Sequence, residues 1–125
     1  MTMNTKLILL AVSATLLTAC TSTGSMKSGN DSLSAVVVRN LFGPDKIEAT
    51  LNGKVYRGDW KLGPPSKEQT QGEPFRHRQH MHTAKTSLMA DDGAEMNCQW
   101  NTHLYAADGV CAVSGREFPL SLQQQ

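Results

Sequence analysis

The chain has 125 residues, a net charge of +1, 18 % charged residues and 6 % aromatics. That length holds one small domain, and the composition excludes both a disordered polyelectrolyte and a coiled coil. The near-neutral charge argues against a basic nucleic-acid binder. Three cysteines are present, and an odd count in an exported chain leaves one thiol that needs its own explanation.

The N-terminus carries Lys6, then an apolar run from Leu7 to Leu16, then Leu17-Thr18-Ala19-Cys20. A positive region, an apolar stretch of about ten residues and a small-residue cleavage site make a secretory signal. The stretch is shorter than the roughly 20 residues of a spanning helix. Leu-Thr-Ala-Cys resembles the lipobox of bacterial lipoproteins. The resemblance implies cleavage before Cys20, a diacylglyceryl group on its thiol and acylation of the new amine. Two or three acyl chains hold a protein stably, whereas one is marginal. Thr21 follows, where an Asp would favour the inner membrane, so the expected location is the outer membrane if the host is Gram-negative and otherwise the cell membrane. Removing residues 1–19 takes Lys6 away and leaves a side-chain charge of about zero, so net charge suggests no electrostatic partner.

Residues 21–34 are rich in Ser, Thr and Gly and nearly free of apolar side chains. With Cys20 they are expected to form a flexible tether, 20–34, reaching roughly 20 Å. The domain proper is expected over 35–125, starting at the valine run 36–38. Gly43-Pro44 then marks a loop. Residues 45–51 alternate, with Ile47, Ala49 and Leu51 on one side. Asn52-Gly53 is a strong two-residue hairpin signal. Pairing Leu51 with Lys54 sets Ala49 opposite Tyr56 and Ile47 opposite Gly58, so register and burial pattern agree. Residues 62–74, with Pro64-Pro65 and a polar run, are expected as a long loop.

A strand is expected next, ending at Ala90. Asp91-Asp92-Gly93 suits a type I turn with Gly93 left-handed, which sets Leu88 opposite Met96. Met96, Cys98 and Trp100 share a face. Residues 101–108 are expected as a polar loop. Ser114-Gly115 is another tight turn, pairing Val113 with Arg116, Cys111 with Phe118 and Gly109 with Leu120. Pro119 fits the outward side or edge of a strand. No apolar set runs far enough at helical spacing. The fold class is therefore all-β: a small antiparallel barrel or sandwich of five to seven short strands with one disulfide.

That disulfide is Cys98–Cys111. Both side chains point inward on neighbouring strands, and the compartment beyond the inner membrane is oxidising. The spacing suits neither the clustered ligands of a zinc site nor a redox Cys-X-X-Cys pair.

Tyr56-Arg57-Gly58-Asp59-Trp60, Leu88-Met89-Ala90-Asp91-Asp92-Gly93, Met96-Asn97-Cys98, Gly109-Val110-Cys111 and Gly115-Arg116-Glu117-Phe118-Pro119-Leu120 carry a resemblance over residues 56–122. Together they resemble a group of short, uncharacterised bacterial lipoproteins. Such proteins often have a Gly before the strand leading to the Asp-Asp-Gly turn, where this chain has His82-Thr83-Ala84. These marks are turns, core positions and a disulfide, so the resemblance implies a fold and no catalytic residue.

Three of the four histidines, His77, His80 and His82, fall within residues 75–82. On a strand His80 and His82 share a face, as a chelating pair requires. Imidazole suits copper and zinc, and His103 or Asp91 would complete such a site. Otherwise no cofactor is expected. His103 and Tyr105 lie in the polar loop, where binding residues can sit. The chain has no Gly-x-Ser-x-Gly elbow, no phosphate loop and no HExxH, so no catalytic residue is expected. These features point to a lipid-anchored envelope protein without enzymatic activity, binding or supporting an unknown envelope partner. The alternatives are a periplasm-facing copper- or zinc-binding lipoprotein using His80 and His82, and an inhibitor of an incoming hydrolase.

Overall fold

Strand formation follows side-chain alternation closed by residues that accept positive φ. The computed structural model describes residues 21–104 and 106–124. Asn52 (φ 51°) and Gly53 (φ 86°) turn strand β3 (Asp45–Leu51) into β4 (Lys54–Trp60). The pairs Leu51–Lys54, Ala49–Tyr56 and Ile47–Gly58 are those expected from the sequence. Strand β6 (Met81–Ala90) turns at Gly93 (φ 88°) into β7 (Glu95–His103), with Leu88 opposite Met96. The Gly93 N–H donates to the Ala90 carbonyl and the Ala90 N–H to the Ala94 carbonyl, the two bonds of a type I turn with a following bulge. Ser114 and Gly115 join β8 (Ala106–Val113) to β9 (Arg116–Gln124), with Cys111 opposite Phe118 and Gly109 opposite Leu120.

These hairpins and one further hairpin close a barrel. Its eight strands are all antiparallel, in the order β4, β3, β2 (Asp31–Val38), β1 (Thr21–Ser28), β9, β8, β7, β6, and β4 pairs back onto β6 through Tyr56–Ala90 and Arg57–Met89. A ninth, two-residue strand, β5 (Leu62–Gly63), continues the line of β4 and pairs Leu62 with Ala84. Closure removes the exposed edges that an open sheet would have to protect. The count exceeds the five to seven strands expected, and the architecture is a barrel rather than a sandwich.

The largest difference is at the start. Residues 21–34 are not a tether. Strand β1 (Thr21–Ser28) and strand β2 (Asp31–Val38) pair along their whole length. Composition misleads here because a strand inside a closed barrel is held by ladder hydrogen bonds on both sides and needs few large side chains. β1 supplies Met26 to the core, and its Ser22 and Thr23 pair with β9. Gly29 (φ 61°) opens the β1–β2 turn before Asn30, a Gly-Asn pair whose hairpin chemistry is in the sequence. Gly24 meets β9 so closely that a Cβ there would lie 1.8 Å from the Ser121 carbonyl oxygen. Gly24→Ala is expected to cost about 1–3 kcal/mol by forcing β1 and β9 apart. Urea denaturation checks this, with Ser25→Ala, at an exposed position of the same strand, as the small-effect control.

Two more expectations change. Residues 101–108 are not a loop. Asn101 pairs with Asp108, Thr102 with Ala107 and His103 with Ala106, leaving a connection of two residues that begins at Leu104 (φ 54°). The 62–74 stretch holds β5 and one single-turn helix, α1 (Lys67–Thr70), and a second, α2 (Phe75–Arg78), follows it. Ser66 and Gln69 form a reciprocal capping box that starts α1. The Gln69 amide donates to the carbonyls of His82 and Thr102, which straps α1 to β6 and β7.

The core is the barrel interior. Leu33, Ile47, Leu88, Met96, Trp100 and Leu122 are among its fully buried side chains. Cys98 and Cys111 sit directly opposite one another and are joined by the disulfide, with Cα atoms 4.0 Å apart.

Candidate functional site at the open end of the barrel

Antiparallel order gives the barrel two unlike ends. One end holds the four short turns, at 29–30, 52–53, 91–94 and 114–115. It is closed by ion pairs between Arg116 and Asp31 and between Lys54 and Asp92. The other end holds both termini of the barrel, the 39–44 loop, the long connection through α1 and α2, and the turn at Leu104.

The closed end is electrostatically organised. The Asn52 amide, then the Arg116 guanidinium, hold the Asp31 carboxyl below the ordinary 3.8. The Lys54 ammonium, then the Ala94 N–H, do the same for Asp92. Asp92 in return raises Lys54 above the ordinary 10.5. A carboxylate depressed in the folded state stabilises the fold above its unfolded value, and that contribution is lost as pH falls through the folded value. A raised lysine contributes fully below its unfolded value and loses the contribution as pH rises past the folded one. These groups therefore give a plateau between roughly pH 5 and 9, with loss on the acid side below about pH 4. Thermal melts across pH are expected to show a shallower acid limb in Asp31→Asn/Asp92→Asn than in the parent.

The open end has a mouth. Ser22, Val37, Trp60, His82, Thr102 and Leu122 are among the residues around a cavity of about 80 Å³. That is far below the roughly 300–1,000 Å³ of a drug-sized ligand site. Trp60 lines the cavity and meets the buried Trp100 ring edge-on at 5.5 Å, and the Trp100 indole N–H donates to the Thr86 hydroxyl at 3.2 Å. The mouth can hold water or a small polar group.

The histidines lie around this mouth. His80 stands in the turn after α2, ahead of β6, and only His82 is on the strand; both line the cavity. The expected third ligands are elsewhere. Asp91 is in a turn at the closed end, and His103 is exposed on β7 with inward-facing Thr102 before it. His77 is bonded to Glu73 at 3.2 Å and Met81 is buried. Among the described residues no three potential ligands come together to hold a metal. Tyr105, Cys20 and residues 1–19 lie outside the described residues.

The sequence reading passed over Leu41 and Phe42. They occupy the 39–44 loop and are 95 % and 94 % exposed. The signal was present: two adjacent large apolar residues in a segment marked as a loop, with no strand face to join. Asn40 braces the loop's base, its N–H donating to the Asp45 carboxylate at 3.0 Å and its amide to the Pro44 carbonyl at 2.9 Å. The loop thus presents the two side chains outward.

Comparison of the chain with protein families, with the curated proteins and with the solved structures finds no significant match.

Proposed function

We propose that this chain is a lipid-anchored envelope protein without enzymatic activity, whose barrel serves as a binding or structural module. The observation that carries the reading is Leu17-Thr18-Ala19-Cys20 at the end of a short apolar segment. One feature of the domain supports it: the disulfide belongs to an oxidising compartment. In this reading the acyl chains on Cys20 supply the attachment; among the described residues no helix is long and apolar enough to cross a membrane.

Cys20→Ser tests this directly. In cells fed radiolabelled palmitate, the parent is expected to carry label and to sediment with membranes after alkaline carbonate washing. The variant is expected to carry none and to stay in the unprocessed form, because the lipoprotein peptidase cleaves only lipidated chains. Equal labelling of parent and variant would refute the proposal.

A further inference from the structure

We propose that the open end of the barrel is a membrane-contact surface that seats the domain flat on an anionic phospholipid bilayer. The inference rests on the lipid-anchor reading and adds an orientation to it. A flexible tether would leave the domain free to turn. None is there, because β1 begins at Thr21, the residue directly after Cys20. One residue spans at most about 3.6 Å, so acyl chains on Cys20 hold the rim at Thr21 against the lipid headgroups.

The side chains at that rim suit the place. Thr21 pairs with Val38, which leads into the loop bearing Leu41 and Phe42. Eight large hydrophobic side chains of the described residues are exposed, and six of them are at this end: Val38, Leu41, Phe42, Leu62, Phe75 and Leu104. Met89, beside the closed end, and Val110, on the barrel wall, are the other two. An apolar cluster of this kind on one end of a small domain marks an interaction surface. Apolar side chains among basic ones suit the interface of a bilayer.

Charge follows the same division. The connections 39–44 and 64–80 carry Arg39, Lys67, Arg76 and Arg78 against Glu68 and Glu73. At the closed end Lys54 faces Asp92, Arg116 faces Asp31 and Arg57 lies 3.8 Å from Asp91, so its charges are paired. The Arg78 guanidinium lies over the Phe75 ring at 5.8 Å, placing a cation and an aromatic ring together at the rim. A basic rim is drawn to anionic headgroups, and a far end whose charges are paired is not. The partner is therefore a lipid surface, and the ion-paired turns of the closed end face away from it.

The full chain, expressed with its own signal and extracted in detergent, is reconstituted into phosphatidylethanolamine–phosphatidylglycerol vesicles. Phe42→Trp and Met89→Trp report the two ends, each read as the difference from the parent's Trp60 and Trp100 emission. With brominated acyl chains in the vesicles, Trp at position 42 is expected to shift to the blue and lose fluorescence, and Trp at position 89 to do neither. The intact mass of the same preparation reports the anchor separately. An acylated protein with position 42 unquenched, or with both positions quenched alike, would overturn the orientation and leave the anchor standing. Quenching at position 42 alone in a protein without acyl mass would support the surface and refute the anchor.

Discussion

Trp100→Ala is expected to lower folding stability by about 3–5 kcal/mol, the range for truncating a large buried aromatic. Trp100 is 2 % exposed and lies across the middle of the barrel. Three contacts make it hard to replace. Its ring covers Gly109 on the facing strand, where a Cβ would lie 2.3 Å from the ring. Its edge meets Trp60 at 5.5 Å, and its N–H is bonded to the Thr86 hydroxyl, itself on a buried residue. Alanine empties the space above Gly109 and leaves the Thr86 hydroxyl without that donor. The barrel wall cannot collapse to fill the gap, because each strand is tied to two neighbours. Trp100→Phe keeps an aromatic over Gly109 and loses the hydrogen bond, so its smaller cost separates packing from polar satisfaction, the latter worth about 1 kcal/mol. Urea denaturation measures both, with outward Gln99→Ala as the control expected to change little.

Reducing the Cys98–Cys111 bridge is expected to cost about 3 kcal/mol in the chain-entropy account, for cysteines 13 residues apart. Both side chains are buried, at 1 % and 0 % exposure, so the bridge reduces only when the β7–β8 hairpin opens. Denaturant midpoints with and without a reductant give the difference. Thiol titration of the unreduced, denatured chain is expected to detect neither Cys98 nor Cys111, and finding both free would contradict the pairing. Cys98→Ala/Cys111→Ala should lose the entropic term and a little packing, and the β6–β7 turn at Gly93 should still form.

Turn chemistry made most of this fold legible. Asn52-Gly53, Asp91-Asp92-Gly93 and Ser114-Gly115 each set a register, and each register placed the right side chains inside. The disulfide followed from two of those registers and the expected compartment. Regions were hidden where apolar alternation is weak. β1 carries Ser22, Gly24 and Met26 inward, and only Met26 is large and apolar, so its barrel role is invisible without its partners β2 and β9. The β7–β8 turn has no glycine, because Leu104 itself takes a φ of 54°. The sequence offers Asp91 as a third ligand to His80 and His82 because the spacing does not show that the β6–β7 turn puts Asp91 at the opposite end of the barrel. The polarity of the two ends was hidden for another reason. A net charge near zero hides a basic rim at one end and paired charges at the other, which only the topology separates. The three cysteines of the sequence thus divide into a described bridge and a proposed anchor.

The anchor is the central claim, and intact-mass spectrometry of the chain purified from its own membranes tests it most directly. The account predicts a mass equal to the chain from Cys20 onward, with Cys98 and Cys111 oxidised, plus a diacylglyceryl group and an N-linked acyl chain. A mass equal to the unmodified chain, whether cut at another residue or uncut, would contradict it.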